Sequence, residues 1–324
     1  MKTNLKYKPA WMQLLIFGCI TFVVGYISTV IGSLLVLRVN HVNLSVFGSF
    51  TPEDYAKPEF AGVVRGLLIV QFFGFFLLPS LIFAYLADPK PLQFAGLKKP
   101  DRISYIFLGV VIIMCSYLMV EWLTVLNTEA VRILAWKGLR QWIEKSESDK
   151  GATLDNIINM KSTADLLKTI FLVGVLAAVG EELFFRGILQ RILIKVFKKP
   201  WLGILVTAAI FSAIHEQFLG FFPRMILGVI LGYLYWYSGS LFPAIAGHFV
   251  FNSFQILLLY YKVINAHQQA AVSDNYLTIT GIIGVGFVIF LFYRLRKNSK
   301  TNYSRVYDEP MPGPSGDYIS KKLF

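Results

Sequence analysis

The sequence predicts an all-α polytopic membrane protein of about eight transmembrane helices, and three observations carry that prediction. Of its 324 residues, 56% are hydrophobic and 15% charged, with a mean hydropathy of +0.59. That is too apolar for an ordinary soluble domain. The apolar residues also come in long runs, near the ~20 residues a helix needs to cross a bilayer. Eight such runs stand out: 11–37, 63–87, 104–127, 163–189, 201–217, 223–238, 241–261 and 276–295. Finally, Lys and Arg are unevenly spread. With the N-terminus inside, segments 1–10, 88–103, 190–200 and 294–324 hold 18 of them, against 9 in 38–62, 128–162 and 262–275. This positive-inside bias places both termini in the cytoplasm.

The net charge of +12 therefore reads as topology rather than as affinity for nucleic acid. No Gly-rich phosphate loop or basic–aromatic module accompanies it. Membrane lipids are the expected surroundings, and no nucleic-acid partner is expected.

The first run has a basic start, as a signal peptide would, but it is far longer than a signal h-region and lacks a clear A-x-A site. It reads as a retained span. Cys19 and Cys115 both fall within spans and read as buried packing residues rather than a disulfide or metal pair. Segment 38–62 is a polar outer loop that includes His41. Arg65 stands near the outer end of the second span, where its stem can snorkel to the interface. Pro79 falls inside that span and predicts a kink. Residues 88–103 form a basic inner connection.

In the long outer segment 128–162, Glu129–Lys145 mixes Trp136, Trp142 and Ile143 with Arg132, Arg140 and Lys145. That predicts a helix lying at the membrane interface, followed by a polar linker from Ser146 to Ala152. His267 falls in the last outer loop. From residue 297 onward Pro310, Pro312, Gly313 and Pro314 predict a disordered cytoplasmic tail. The chain thus divides into an N-terminal membrane region of three spans (1–162), a four-span core (163–262), a final span (263–296) and the tail (297–324).

Three polar clusters interrupt the apolar C-terminal half: Glu181-Glu182-Leu183-Phe184-Phe185-Arg186, Phe211-Ser212-Ala213-Ile214-His215 and His248-Phe249-Val250-Phe251-Asn252. Ionisable groups are costly in hydrocarbon, so those within spans face protein or a wet cavity and carry function. Residues four apart share a helix face, whereas neighbours diverge by about 100°. Glu182 and Arg186 are thus placed to pair, and Glu181 is left as the freer carboxylate and the better general-base candidate. By the same spacing Phe211 packs beside His215, and His248 and Asn252 can address one ligand. Each cluster alone could be structural, a helix-to-helix strut or a buried ion pair. His215-Glu216-Gln217-Phe218-Leu219 is not the zinc-protease H-E-x-x-H motif, because Leu219 stands where the second histidine belongs.

In order and spacing, Glu181-Glu182-x-x-x-Arg186, Phe211-x-x-x-His215 and His248-x-x-x-Asn252 resemble the CPBP family of intramembrane proteases. These are the CAAX proteases and bacteriocin-processing enzymes, also called the Abi family, which include the type-II CAAX prenyl proteases. The match covers roughly residues 165–260 and shows no departure from the pattern. The resemblance implies a conical polar active-site cavity, a protease core over 163–262 and an intramembrane metalloendopeptidase of the CAAX prenyl protease type. It implies that Glu181 activates the hydrolytic water and that His215 assists or holds it. His248 and Asn252 would form the oxyanion-stabilising or metal-ligating side, with Glu182, Arg186 and Phe211 in support. Glu181, His215 and His248 could also hold a zinc ion with an open fourth position; a water activated by Glu181 without metal is equally consistent. The substrate would be a peptide or protein, with or without a lipid modification, and the location a bacterial plasma membrane.

Two other functions fit the same residues. One is a non-proteolytic membrane scaffold or bacteriocin-immunity protein of the same fold. The other is a proton-coupled transporter, although no internal repeat supports it. The predicted topology also sets a problem. His215 lies near the outer end of its span and His248 near the inner start of its own, so they meet only if the helices tilt or the connection at 238–243 dips into the protein.

Overall fold

The computed structural model describes residues 5–51, 54, 57–133, 136–158, 160–261 and 274–308. Among them the chain is helical throughout, without strands. Six helices are long and apolar enough to cross a bilayer. They are α1 (Ala10–Val39), α2 (Pro58–Ala87), α3 (Ser104–Arg132), α5 (Thr163–Phe197), α8 (Phe242–Tyr260) and α9 (Asp274–Asn298). Helix α4 (Lys137–Ile158) precedes α5. The two short runs of the sequence fall on α6 (Pro200–Ala213) and α7 (Phe221–Ser238), of 14 and 18 residues. A last short helix, α10, spans Tyr303–Tyr307.

The peripheral helices show their apolar side chains outward. On α1, Phe22 is 72% exposed and Tyr26 65%; on α9, Ile289 is 64% exposed. A water-soluble fold does not leave such continuous apolar faces uncovered; hydrocarbon covers them. The buried apolar residues lie inward. One cluster centres on Phe185, Ile188, Ile192 and Tyr235, and a second on Ile112, Ile113, Leu231 and Phe251. Helices α8 and α9 pack on α3, and α6 packs on α7.

Proline and polar side chains shape the helices locally. Phe72–Leu77 is π-helical and leads directly into Pro79. The wider turn accommodates a residue that cannot donate to the ladder and whose ring crowds the carbonyl four back. Helix α5 opens on a Ser162 cap, whose Oγ accepts from the Asp165 amide at 3.2 Å. It ends at Lys198 in the left-handed conformation, and Pro200 starts α6 in the first turn, where its missing N–H costs nothing.

Several expectations are corrected. Arg65 pairs with Asp165 at 3.4 Å, tying α2 to α5. Cys19 is free and exposed rather than buried; Cys115 is free and half-buried. The interfacial segment is not one helix from Glu129, since α3 runs to Arg132 and α4 begins at Lys137; Leu134 lies outside the described residues. The supposed linker Ser146–Ala152 continues α4, since Glu, Lys, Ser and Asp there permit helix and no Pro interrupts it. The described part of the tail is not disordered: α10 packs inward, with Tyr303, Val306 and Tyr307 each 2% exposed or less. His267 and the Pro-rich stretch from Pro310 lie outside the described residues.

The reason for that order is Arg191, a cation buried near the end of α5. Its guanidinium lies 3.5 Å from the centre of the Phe94 ring and donates to the carbonyls of Phe94 at 2.6 Å and Tyr307 at 2.7 Å. A buried charge needs such acceptors, and the tail supplies one. Ending the chain after Asn298 is therefore expected to destabilise the protein by about 3 kcal/mol, measured as the unfolding midpoint in detergent.

The connection at 238–243 is buried against the segment 88–103. Ser238, Ser240 and Leu241 are 1% exposed or less. Their polar groups are met internally: Ser240 Oγ donates to the Lys98 carbonyl and the Leu241 amide to that of Gly96. Helix α8 follows from that connection and carries His248 to Glu182 on α5.

Candidate active site

Helix α5 is π-helical over Glu182–Gln190, directly after Glu181. Such wide turns interrupt the regular ladder and recur at functional sites. Glu182 and Arg186 are fully buried and pair at 2.7 Å. The arginine is held further by the Gly228 carbonyl on α7 at 3.1 Å and by the Phe211 ring on α6, 4.5 Å from the guanidinium carbon. Gly228 permits that approach: a Cβ there would stand 3.0 Å from the Cβ of Ala208. Three helices therefore close on one guanidinium.

His248, 4% exposed, joins α8 to the pair. Its Nδ1 lies 2.9 Å from Glu182 Oε1, and its Nε2 lies 3.8 Å from Glu181 Oε2. The carboxylate of Glu182, ion-paired with Arg186, can only accept, so Nδ1 carries a proton and donates to it, while Nε2 faces Glu181. His215 repeats the arrangement, with Nδ1 2.8 Å from the Phe211 carbonyl. A carbonyl also only accepts, which leaves the His215 Nε2 bare. Phe211 stands between the imidazoles, edge-on, with ring centroids 5.0 Å from His215 and 6.2 Å from His248.

Six of the seven residues singled out in the sequence gather here: Glu181, Glu182, Arg186, Phe211, His215 and His248. The seventh, Asn252, shares the α8 face of His248 but spends one amide N–H on the Val173 carbonyl of α5, at 2.9 Å. That is a helix-to-helix tie; its second N–H is a further donor. Glu181 differs from Glu182 as the spacing implies. Its side chain is 13% exposed, and its nearest ionic approach is the 3.8 Å contact to His248.

Although near one another, Glu181, His215 and His248 do not form the three-ligand set that zinc would use. Among the described residues no three of His, Cys, Asp and Glu stand together as a metal-holding group. His215 does keep a bare Nε2, the atom a metal would need.

The sequence reading missed Arg224, on the first turn of α7. Its Nη2 donates to Gln217 Oε1 in the α6–α7 loop at 2.6 Å. The signal was available, since Arg224 is the lone charged residue of the run 223–238.

The loop joining α6 to α7 is braced from two sides. Asn127 at the end of α3 donates to the carbonyls of Phe218 and Leu219 at 2.8 and 2.6 Å. From α4, Glu147 accepts from the Leu219 amide at 2.9 Å, and Trp142 packs on Phe218 with centroids 4.7 Å apart. Helix α4 thus closes over the end of the site where His215 sits. Asn127→Ala is expected to loosen the loop and lower turnover about tenfold, two hydrogen bonds at roughly 1 kcal/mol each being at stake.

Fold and site together define a class: a polytopic helical membrane protein with a carboxylate–imidazole centre buried among α5, α6 and α8. The family described as type II CAAX prenyl endopeptidase Rce1-like matches residues 163–254, so the chain carries a domain of that family. The match covers all three polar clusters. Among curated proteins the chain resembles the "Uncharacterized protein YpbD" of Bacillus subtilis (strain 168), 28% identical over 125 residues. That alignment covers 37% of this chain and 59% of the relative. No solved structure matches.

Proposed function

We propose that the protein is an intramembrane endopeptidase in which Glu181 activates a water molecule. The observation that carries this reading is the unlike pairing of two adjacent carboxylates. Glu182 takes Arg186 and His248 on its Oε1, whereas Glu181 makes no hydrogen bond among the described residues and faces the His248 Nε2 at 3.8 Å. In the reaction the Glu181 carboxylate takes a proton from water as the oxygen adds to the scissile carbonyl carbon. The Nε2 lone pair of His215 accepts water's other O–H and aims it. The proton on Glu181 then passes to the leaving nitrogen as the C–N bond breaks, and the carboxylate is restored. Burial keeps bulk water from competing.

That sequence runs on the protein's own carboxylate and imidazole; zinc, where bound, would polarise the scissile carbonyl. Treatment with o-phenanthroline is expected to leave the rate within about twofold, whereas a metal-held water would be worth several kcal/mol. Loss of activity that zinc alone restores would bring Glu181, His215 and His248 together on an ion.

The substrate is a peptide segment at the membrane surface, and the family match favours one ending in a CAAX-type sequence. The test compares membrane-protein termini, by mass spectrometry, in cells expressing wild type or Glu181→Gln at equal abundance. New ends restricted to wild type support the peptidase reading and name the substrate. Identical ends at deep coverage leave the non-proteolytic scaffold or immunity reading in its place.

A further inference from the structure

The seam between α5 and α7 continues in polar side chains beyond the Glu182 pair. Arg186 and Gln190, four residues apart on α5, are both 0% exposed. Each donates to α7: Arg186 Nη2 to the Gly228 carbonyl at 3.1 Å, and Gln190 Nε2 to the Gly232 carbonyl at 3.3 Å. Each also keeps a buried atom with no hydrogen-bond partner among the described residues, a donor at Arg186 Nε and an acceptor at Gln190 Oε1. Glu182 does not meet that donor. The guanidinium is a rigid fork in which Nη1, the nitrogen bonded to Glu182, lies cis to Cδ. The Nε–H therefore points along the other edge, the one it shares with Nη2. Glu182 Oε2, a further buried atom without a partner, lies with Oε1 on the Nη1 side.

Helix α6 closes the seam. A Cβ at Gly232 would stand 2.7 Å from Gln190 Oε1 and 2.8 Å from Ile204 Cγ2, and one at Gly228 would stand 3.0 Å from Ala208 Cβ and 3.4 Å from Arg186 Nη2. The two glycines thus admit both side chains, and α6 meets them through Ile204 and Ala208. Thr207 shares that buried face and is 1% exposed. Gly203 packs on Ile194 and Phe211 on Arg186. Thr207, midway between Gly203 and Phe211, therefore stands opposite Gln190, midway between Ile194 and Arg186. Its hydroxyl donates to the Gly203 carbonyl at 2.7 Å, which leaves the oxygen's lone pairs as acceptors. The two α7 carbonyls are one turn, ~6 Å, apart. Side chains held on them are separated by about what two hydrogen bonds of ~2.8 Å cover when they meet at one oxygen.

We infer that the seam among α5, α6 and α7 is a binding site for one water molecule, which accepts from Arg186 Nε–H and donates to Gln190 Oε1 and Thr207 Oγ1. One donor and two acceptors are the complement of a buried water, which typically makes about three hydrogen bonds. Unmet, these groups would each carry a desolvation cost. Gln190 and Thr207 are thereby positioning residues. They fix the edge of the guanidinium that Glu182 does not hold, and through Arg186 they fix the carboxylate that orients His248. The site stands apart from the peptidase reading; its effect on turnover rests on that reading.

The test is a structure of the full-length protein in lipid nanodiscs at a resolution that shows ordered waters, paired with hydrolysis of an internally quenched decapeptide spanning a mapped cleavage site. A water peak within ~3.2 Å of Arg186 Nε, Gln190 Oε1 and Thr207 Oγ1 is expected. Thr207→Val keeps the shape and removes the acceptor; Thr207→Ser keeps the acceptor and removes a methyl group. Thr207→Val is expected to lose the peak and to lower kcat ~10-fold with KM within about threefold. Thr207→Ser is expected to keep both peak and rate. A residue that only packs would give the reverse order. Should Thr207→Val fail to fold, Gln190→Met removes the other acceptor and is read in the same way. A direct hydrogen bond from Arg186 Nε to Gln190 Oε1, or a seam without density, overturns the site. A kcat for Thr207→Val within about threefold of wild type overturns the positioning role. A wild type that cleaves nothing removes the peptidase reading, and the water peak then decides the site alone.

Discussion

Glu181→Gln is expected to abolish turnover, lowering kcat ~10²–10⁴-fold, while the unfolding midpoint in detergent stays within a few degrees of wild type. The two halves of that expectation have separate grounds. An amide of nearly the same shape cannot accept water's proton, so the chemistry stops. Nothing in the fold leans on the carboxylate, since its nearest ionic contact is 3.8 Å and its side chain keeps some exposure. A variant that folds and turns over like wild type would remove Glu181 from the base role. One that fails to fold would make it a strut.

Arg186→Met should show the opposite signature. The guanidinium is 0% exposed and holds Glu182, the Gly228 carbonyl and the Phe211 ring together. Its loss strands a buried carboxylate, at a cost of about 3–5 kcal/mol. The double variant Glu182→Gln/Arg186→Met is expected to be more stable than Arg186→Met alone, because no uncompensated charge remains. Unfolding midpoints of the four proteins in the cycle measure this. If the single and double variants are equally destabilised, the pair is not coupled and the site's scaffold lies elsewhere.

Much of this was legible in the sequence, for reasons that can be named. Long apolar runs predict spans because the bilayer fixes their length, and charged residues inside them stand out because hydrocarbon penalises them. The i,i+4 spacing assigned Glu182 to Arg186, which pair at 2.7 Å. What escaped was set by tertiary packing. The π-helical stretches of α5 leave no periodic trace in a uniformly apolar run. The order of Tyr303–Tyr307 depends on Arg191, more than a hundred positions earlier in the chain. Helix α4 was read as part linker because its polar composition suits solvent as well as helix, and only Trp142, Ser146 and Glu147 against the α6–α7 loop decide between them. Arg224 was a lone charge in a span, visible by the rule that found the others, but no neighbour at helical spacing marked it.

The measurement that tests the central claim most directly is a single turnover in H₂¹⁸O. The protein in proteoliposomes, in excess over a peptide spanning a mapped site, would be quenched after one cycle and both products weighed. If Glu181 activates water, the new C-terminal carboxylate carries one ¹⁸O from the first turnover, the protein carries none, and Glu181→Gln yields no product. An unlabelled product with ¹⁸O found in Glu181 would make the carboxylate a nucleophile and contradict the account.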